Sequence, residues 1–425
     1  MTGRTFPEDF IWGVATAAHQ VEGGNTNNDI WLLEHVPGTI FPEKSGDAVD
    51  HYHRYAEDIA LIAALGFNSY RFSLEWSRIE PEPGEFSVAE LNHYRRVLEA
   101  CKAHGLKTIV TFLHFSSPRW LLAAGGWEDA ATPERFARFC DVAIRHLGDL
   151  IDVACTLNEP NLPYLLKAMG LTGEPPEARV HVPVWVGAAE ALGIEPAKVA
   201  PFQFNATEIG FATKLAAHRA GRDAIKAVCP DLPVGWTLAN TDVQAGPGGQ
   251  AVAEAVRQEA NVRFLEASRD DDFVGIQNYG RHVFGPEGLL DPEPGATVNQ
   301  QGEEIYPEGL ANVVREAWQV ARVPVMVTEN GLSTTDDSER LGYLEGALAG
   351  LVDCLAEGVD LRGYVAWTAF DNFEWIFGYV PKFGLIAVDR TTQERTPKPS
   401  AYWLGEVARS NGADLAGTPE PALTH

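Results

Sequence analysis

The stretch that decides the fold is Val153-Ala154-Cys155-Thr156-Leu157, which continues as Asn158-Glu159-Pro160. A run of apolar and β-branched residues of this length is typical of a strand that is buried on both faces. A carboxylate directly after such a strand is costly to bury unless the protein makes use of it. The stretch therefore predicts a parallel strand whose carboxyl end carries a functional glutamate, Glu159.

A second stretch repeats this pattern in the other half of the chain. Val325–Thr328 is again apolar and β-branched, and Glu329 follows it, with Asn330-Gly331 next. Either glutamate alone would more often be a helix cap or one half of an ion pair. Two of them in matching contexts favour a paired-carboxylate active site.

Eight runs of the chain, these two included, have the composition of buried strands. They are Phe10–Ala17, Ser69–Glu75, Thr108–Phe115, Val153–Leu157, Val234–Leu238, Phe273–Asn278, Val325–Thr328 and Gly363–Ala369. Amphipathic helical patterns lie between them, at Ala48–Leu65, Ser87–His104, Thr132–Leu147, Asn205–Val228, Glu308–Val320 and Ser338–Glu357. Strands that alternate with helices form a parallel sheet, so the predicted fold class is α/β.

At this length the expected arrangement is a single (β/α)8 TIM barrel over residues 1–412, with extended βα loops around the active-site mouth. Residues 413–425 are rich in Pro and Ala, and we expect a loose C-terminal tail there. A doubly wound open sheet is the alternative. Such a sheet usually carries a GxGxxG turn after its first strand, whereas Ala18-His19-Gln20-Val21-Glu22-Gly23-Gly24 stands here.

Composition excludes several classes of function. The chain has 59 acidic and 33 basic residues and a net charge of -26, so its surface repels nucleic acid and anionic membranes. Its five cysteines are too few and too scattered for a disulfide framework, and no zinc-ligand spacing occurs. No signal-peptide core and no membrane-span-length apolar run is present. We therefore expect a reduced, cytoplasmic protein without a metal or cofactor.

The ends of the predicted strands carry the candidate chemistry, because the active site of such a barrel forms there. Reading these ends in chain order gives Gln20, Arg71, Glu75, Trp76, His114, Asn158, Glu159, Asn240, Asn278, Tyr279, Glu329, Trp367 and Asp371, with Glu374 and Trp375 shortly after. Carboxylates and amides suit sugar hydroxyls, and flat aromatic faces suit the C–H side of a sugar ring. The expected partner is a small glycoside or oligosaccharide.

Motifs in this order resemble those of the family-1 glycoside hydrolases, the β-glucosidase and β-galactosidase type, over essentially the whole chain. The matching segments are Phe10–Gly24, Asp50–Tyr55, Tyr70–Ser73, Thr156–Pro160, Thr328–Gly331, Asp371–Trp375, Lys382–Leu385 and Arg395–Ser400. Any one of them is a weak signal, and their order and intervals together are specific. The resemblance implies the barrel and a β-glycosidase activity.

The resemblance also implies roles for the strand-end residues. Glu159 would be the general acid and base, and Glu329 the nucleophile that forms a glycosyl-enzyme ester, with the two carboxyl groups about 5–5.5 Å apart. Arg71 and Tyr279 would keep Glu329 ionised and oriented, while Asn158 would bind the sugar 2-hydroxyl. The residues that match sugar-binding positions are Gln20, His114, Glu374 and Trp375, with Trp367 as a stacking platform.

The implied activity is that of a retaining exo-β-glycosidase acting on a terminal glucose- or galactose-type sugar. A transglycosylase would share every step up to the ester, and a silent sugar-binding barrel would be expected to lack one glutamate. Structural roles compete at single residues. Arg71 could pair with Glu75, His114 could bond a backbone carbonyl, and Tyr279 could be a packing residue. His51 and His53 are expected to be structural.

Three departures from the family pattern bear on specificity. Phe115 stands where the family has a tryptophan, and His19 stands where it has a tyrosine before the sugar-binding glutamine. The usual Gly-Ile-Asn-Tyr-Tyr is replaced by Gly275-Ile276-Gln277-Asn278-Tyr279. Glu374 stands where phospho-sugar relatives bind phosphate, so we expect a non-phosphorylated substrate. The loops Lys167–Ala200 and Gln244–Ala253 are expected to shape the leaving-group pocket. The preferred sugar, the leaving group and the oligomeric state stay open.

Overall fold

A closed barrel of eight parallel strands forms the centre of the molecule, as predicted. The computed structural model describes residues 6–416. The barrel strands, numbered here along the chain, are β1 Ile11–Ala15, β2 Ser69–Ser73, β3 Lys107–Leu113, β4 Val153–Asn158, β5 Val234–Ala239, β6 Val274–Asn278, β7 Val325–Asn330 and β8 Leu361–Trp367. Each strand pairs with the next one along the chain, and β8 pairs with β1 to close the ring.

Helices alternate with these strands and surround the barrel. The main ones are His51–Leu65, Val88–Ala103, Thr132–Leu147, Glu208–Val228, Glu308–Ala321, Asp337–Ala356 and Pro399–Arg409. Shorter helices lie in the loops, at Ala18–Val21, Asp29–His35, Trp76–Ile79, Arg119–Ala123, Leu162–Ala168, Pro183–Leu192, Gln250–Val256 and Arg263–Ala267. Side-chain caps fix the first turns of several of these helices. For example, Ser87 precedes the helix Val88–Ala103 and accepts a hydrogen bond from the Glu90 amide. The sequence patterns placed the six predicted helices within a few residues of these bounds.

The pairing register is irregular where the two candidate glutamates leave the barrel. Between β4 and β5 it shifts after Cys155 and before Asn158. Between β7 and β6 it shifts between Val327 and Glu329. A bulge bends a strand and re-aims the side chains beyond it. Both glutamates therefore follow a local break in the ladder.

A close backbone contact fixes the chain just after Glu329. A Cβ added to Gly331 would lie 1.9 Å from the backbone oxygen of Trp367 at the end of β8. No larger residue fits there without moving β7 away from β8. The glycine of the Thr328–Gly331 motif therefore holds these two strand ends together.

Five short strands outside the barrel were not predicted. They are Asp242–Ala245, Arg281–Gly285, Gly288–Leu289, Ile386–Val388 and Arg395–Pro397. In the expected C-terminal tail, Ala413–Ala416 forms a 3-10 turn, and 417–425 lies outside the described residues. Within 6–416, no helix is both long and apolar enough to cross a membrane.

Candidate active site

Glu159 leaves β4 through a strained backbone position. Its φ is 48°, in the left-handed region that non-glycine residues seldom occupy. Its amide donates to the Thr237 carbonyl of β5 at 2.7 Å, which holds the residue in this conformation. The side chain is 6% exposed. Strain of this kind is often found at functional positions.

Glu329 lies across the barrel mouth and is held by two strong donors. Arg71 Nη1 donates to Glu329 Oε1 at 2.6 Å, and the Tyr279 hydroxyl donates to Oε2 at 2.5 Å. Burial and the adjacent Glu329 raise the pKa of Tyr279 well above its usual range, so the phenol keeps its proton. Both oxygens of Glu329 therefore accept a hydrogen bond, as expected from the sequence.

Arg71 connects the two glutamate-bearing strands. It is fully buried, and its Nη2 donates to Asn158 Oδ1 at 2.6 Å while its Nε donates to Thr111 Oγ1 at 3.1 Å. The alternative pairing with Glu75 does not occur. Glu75 instead accepts from Ser116 and Ser77, away from Arg71.

Gln277 is a site residue that sequence reasoning missed. Its Nε2 donates to Glu159 Oε1 at 2.9 Å, and its side chain also lowers the pKa of Glu329. Gln277 therefore bonds Glu159 and favours the ionised form of Glu329. The only signal in the sequence was the departure from the family pattern at this position.

Burial raises the pKa values of both glutamates, and their neighbours act on the two carboxyl groups in opposite ways. Burial raises the pKa of Glu159 well above its usual range, and the charge of Glu329 adds to the rise. Burial also raises the pKa of Glu329, against the donors Arg71 and Tyr279. Because these donors favour the ionised form of Glu329, a proton shared by the pair belongs on Glu159.

One cavity of about 200 Å³ contains most of the predicted site. Seven predicted residues line it: His114, Glu159, Tyr279, Glu329, Trp367, Glu374 and Trp375. Arg71 and Asn158 lie one layer behind, where they contact the lining residues. Gln20 also lies behind the lining, and its Nε2 donates to Glu374 Oε2 at 3.1 Å.

His114 presents a free ring nitrogen. Asn158 Nδ2 donates to His114 Nε2 at 3.1 Å, and Nδ1 is buried without a partner among the described residues. Burial, followed by the charge of Arg71, lowers the pKa of His114 well below its usual range. The neutral ring therefore carries its proton on Nδ1, as a donor with no protein acceptor. A buried polar group left in this way calls for a partner from outside the protein, such as a water or a ligand.

Aromatic rings form a stack on one side of the cavity. The His114 ring lies 5.6 Å from that of Trp367 and 6.1 Å from that of Trp375, with near-parallel planes. His19, one of the departures, stacks on Trp375 at 5.7 Å, while its Nε2 lies 2.7 Å from Glu34. Phe115, another departure, meets Trp375 edge-to-face at 5.1 Å. His19 therefore acts on the site through Trp375, whereas Phe115 also lines the cavity itself.

Glu374 is a third carboxyl group in the cavity. Burial, together with the charge of Glu329, raises its pKa to about 8. It is therefore mostly neutral at neutral pH and can donate as well as accept a hydrogen bond. Charge repulsion between Glu374 and a phosphate is accordingly weak at neutral pH, so it gives little support to the expectation of a non-phosphorylated substrate.

Several strand-end residues have structural partners instead. Asp371 accepts from Lys398 Nζ at 2.9 Å. Asn278 donates to the Asn240 carbonyl at 2.8 Å. His51, expected to be structural, lies 2.7 Å from Asp58 and bonds the Tyr70 hydroxyl. Between residues 6 and 416, no group of His, Cys, Asp or Glu has the arrangement of a metal site.

The chain after Glu159 is clamped to the barrel. Asn161 Nδ2 donates to the carbonyls of Ala239 and Ala260 at 2.7 and 2.9 Å, and Asn161 Oδ1 accepts from the Ala239 amide at 2.9 Å. Lys214 Nζ donates to the Pro160 carbonyl at 3.2 Å. Burial lowers the pKa of Lys214 well below its usual range, and its Nζ also donates to the Asn205 carbonyl at 2.9 Å.

The outer half of the cavity is built differently. Its apolar lining comes from Leu162, Leu165, Leu166, Met169, Leu171, Phe204, Ile376 and Phe377. Part of it belongs to the loop Lys167–Ala200, as expected. The other loop expected there, Gln244–Ala253, contributes none of the lining residues in the described chain.

Comparison with known proteins identifies the family. The model of glycosyl hydrolase family 1 matches residues 2–266 and 258–413. Thermostable β-glucosidase B of Thermobispora bispora is 32% identical over 444 residues, covering 96% of this chain and 91% of the relative. β-Glucosidase A of Acetivibrio thermocellus is 30% identical over 448 residues, covering 97% of this chain and 100% of the relative.

Solved structures show the same fold. The β-glycosidase BGL167 has a TM-score of 0.95 and 66% identity, covering 98% of this chain and 100% of that one. The β-glucosidase of Thermotoga maritima in complex with noeuromycin has a TM-score of 0.83 and 27% identity, covering 96% and 99%. The barrel with its paired strand-end glutamates is thus that of a β-glycosidase. The chain belongs to glycosyl hydrolase family 1.

Proposed function

We propose that this β-glycosidase is a retaining, exo-acting enzyme that removes a terminal β-linked glucose- or galactose-type sugar through a glycosyl-enzyme intermediate. The observation that carries the proposal is that two neighbouring carboxyl groups have different hydrogen-bond donors. Glu329 accepts hydrogen bonds from a cation and a phenol, whereas the side chain of Glu159 accepts from one amide among the described residues. Such a pair separates into one ionised and one protonated group.

In the first step Glu329 attacks the anomeric carbon while Glu159 protonates the departing oxygen. Because Gln277 Nε2 donates to Glu159 Oε1, the proton of this carboxyl belongs on Oε2. The leaving group therefore departs on the Oε2 side of Glu159. Arg71 and Tyr279 orient the attacking carboxylate and keep it ionised.

In the second step the ester at Glu329 is hydrolysed. Once Glu329 is esterified its charge is gone, which removes one of the causes of the raised pKa of Glu159. The pKa of Glu159 therefore falls, so the carboxyl group stays ionised after it has protonated the leaving group. The carboxylate can then act as a general base and take a proton from the attacking water. Attack by water on the opposite side restores the β configuration.

The sugar is proposed to bind against the stacked rings at the base of the cavity. The free Nδ1 donor of His114 and the neutral Glu374 supply hydrogen bonds to its hydroxyls. Asn158 is proposed to contact the 2-hydroxyl with the hydrogen of Nδ2 that His114 does not use. Gln20 acts through Glu374, to which it donates, and Trp367 offers a flat face to the ring.

The anomeric configuration of the azide product distinguishes the nucleophile from the general acid and base. In Glu329→Gly, azide should attack an activated aryl β-glucoside directly and give the α-glycosyl azide. In Glu159→Ala, azide should attack the intermediate and give the β-glycosyl azide. Both variants should otherwise lose most activity on substrates with poor leaving groups.

The control is Glu303→Gly, since Glu303 also lines the cavity but contacts neither glutamate. It should hydrolyse the aryl glucoside and form no glycosyl azide. The same anomer from both test variants, or near-normal hydrolysis by Glu329→Gly, would contradict the assignment. Product analysis at high concentrations of an acceptor sugar decides between hydrolysis and transglycosylation.

A further inference from the structure

Trp375 lines the cavity in a position that depends on its surroundings. Its φ is 50°, in the left-handed region that residues with a side chain seldom occupy. Such a conformation persists only where neighbouring groups hold it. The Trp375 ring packs near-parallel to those of His114 and His19, with interplanar angles of 14° and 11°. His19 is buried and does not line the cavity, so it contacts Trp375 from the protein side.

Both ring nitrogens of His19 are bonded to one short helix, Asp29–His35. Asn28 caps this helix, and its Oδ1 accepts from the Trp31 amide at 2.7 Å. The Nδ2 of the same side chain is thereby directed to His19 Nδ1, to which it donates at 2.8 Å. Because Nδ1 accepts, the ring carries its proton on Nε2 and donates it to Glu34 Oε1 at 2.7 Å. The cap of the helix and a residue of its last turn therefore hold the same ring.

Glu34 is fixed at its other oxygen as well. The amide and the hydroxyl of Ser45 both donate to Glu34 Oε2, at 2.9 and 2.8 Å. Burial acts to raise the pKa of Glu34, but the hydrogen bonds from His19 and Ser45 bring it below its usual value, so the carboxylate accepts all three bonds. The Tyr379 hydroxyl donates to the Ser45 carbonyl. This last bond connects the cluster to the segment that carries Trp375.

The same helix is bonded to the loop that carries the other parallel histidine. The Asp29 amide donates to the Ser117 carbonyl at 2.8 Å, and the Ser117 amide donates to Asp29 Oδ1 at 2.7 Å. Ser117 follows His114 and Phe115 in this loop. One helix therefore supports both His19 and the loop of His114, the two histidines whose rings lie parallel to the tryptophan.

An imidazole can be fixed at this position in a way that a phenol cannot. The hydroxyl of a tyrosine, which the family pattern has here, lies on the axis about which the ring rotates. A hydrogen bond to that hydroxyl therefore leaves the plane of the ring free to turn. The two nitrogens of His19 lie off this axis, and both are bonded. The plane of the His19 ring is thus set, and it defines a surface against which Trp375 packs.

We propose that His19 is a positioning residue for sugar recognition, in which one helix fixes the imidazole and the imidazole fixes the Trp375 ring against which the sugar binds. The inference rests on the proposed binding of the sugar to the stacked rings. The hydrogen bonds to the two proposed catalytic glutamates come from other residues. A ring that holds the sugar equally well in the ground state and the transition state contributes to binding alone. Loss of His19 should therefore weaken sugar binding and leave the bond-breaking steps largely unchanged.

Two substitutions divide the anchored ring into its parts. His19→Phe keeps a ring beside Trp375 and removes both bonded nitrogens, whereas His19→Gln keeps a donor for Glu34 and removes the ring. Each should raise the inhibition constant of the free monosaccharide that the enzyme releases, and KM for an aryl glycoside of that sugar, by about three- to tenfold. In both variants kcat should stay close to that of the wild type. An inhibition constant does not depend on the fraction of folded enzyme, so a loss of stability does not imitate this result.

His218→Phe is the matched control. His218 Nε2 lies 3.0 Å from Asp271 Oδ2, and its ring stacks on that of Trp236 at 4.2 Å. This pair is as deeply buried as His19 and Glu34, but Trp236 does not line the cavity. The control substitution should lower the melting temperature and leave both the inhibition constant and KM as in the wild type.

The results that would overturn the role of His19 differ from those that would overturn the sugar site. Wild-type inhibition constants in the His19 variants, an equal rise in His218→Phe, or a fall in kcat at an unchanged inhibition constant would contradict the positioning role. His19→Gln carries the test alone should His19→Phe not fold. An unchanged inhibition constant in Trp375→Ala would contradict the proposed binding of the sugar to the rings. The azide products test the two glutamates independently.

Discussion

The inner and outer halves of the cavity are held by different forces. At the inner end, Arg71, Tyr279 and Gln277 tie two buried carboxyl groups to strand ends with short hydrogen bonds. At the outer end, side chains such as Leu166 and Met169 line the cavity by apolar contact alone. Bond cleavage needs carboxylates in fixed positions, whereas an apolar leaving group needs only a surface of suitable shape.

This difference predicts which property of the enzyme a substitution in each half should change. A change at the inner end should disturb chemistry, protonation or folding, because each side chain there leaves a buried partner unsatisfied when it is removed. A change at the outer end should alter the choice of leaving group. The following tests are ordered from the largest expected effect to the smallest.

Glu159→Ala tests whether this carboxyl group, which lies between the two halves of the cavity, protonates the leaving group. With an octyl glycoside, which needs a proton on its departing oxygen, we expect kcat/KM to fall by about 10²–10⁴-fold. With a 2,4-dinitrophenyl glycoside, whose leaving group needs no proton, the loss in the first step should be far smaller. Pre-steady-state release of dinitrophenol measures that step. Equal losses on the two substrates would remove Glu159 from the acid role.

Arg71→Met tests how far the inner end depends on its buried cation. Removing one partner of a buried ion pair typically costs about 3–5 kcal/mol, since the other charge is left uncompensated. Denaturant unfolding at pH 7 measures this loss. It should shrink at pH 5, because Glu329, whose pKa is raised by burial and no longer lowered by Arg71, takes up a proton.

Arg95→Met is the control for this variant, since Arg95 pairs with Asp149 at the surface. Its stability should stay close to that of the wild type at both pH values. A similar result for Arg71→Met would mean that Glu329 is already neutral in the resting enzyme.

Glu374→Gln tests the raised pKa of the third carboxyl group. A folded pKa of about 8 lies above the ordinary value of 4.5, so the folded state binds this proton more tightly than the unfolded state does. The stabilisation is complete below pH 4.5 and is lost as the pH rises through 8. Relative to the wild type, the variant should gain up to about 1.4 kcal/mol of stability per pH unit within that range. A constant difference between pH 5 and pH 9 would show that Glu374 ionises normally.

Gln277→Leu should have the smallest effect, a shift of the pH profile. Its amide donates to Glu159 and lowers the pKa of that carboxyl. Because activity needs a protonated Glu159, removing the donor should move the alkaline limb of kcat/KM to higher pH. Gln203→Leu is the matched control, as Gln203 lines the cavity without bonding either glutamate. An alkaline limb that stays in place would show that another group sets it.

The inner half could be predicted from the sequence, because strand-end position follows from simple patterns. A continuous apolar run fixes a buried strand, and the residue after it must lie at the barrel mouth. Glu159 and Glu329 were found in this way. Gln277 was not, since its place opposite Glu329 follows a register shift between β6 and β7, and local sequence patterns do not predict such a shift.

The outer half could not be predicted, for a different physical reason. Leu162, Leu165, Leu166 and Met169 have the spacing of any amphipathic helix, and that spacing is the same whether the face meets the core or a cavity. Which of the two it meets is decided by the loops opposite. The pKa of Glu374 was equally hidden, because it comes from burial that only the closed barrel provides.

The clamp at Asn161 has a consequence for how such an enzyme can change. Its three hydrogen bonds to Ala239 and Ala260 hold the backbone between the acid and the apolar lining of the outer cavity. We therefore expect that the segment after Asn161 can be exchanged for another sequence while Glu159 keeps its place. Replacing the segment after Asn161 should therefore change the specificity for the leaving group and leave the chemistry at the sugar unchanged.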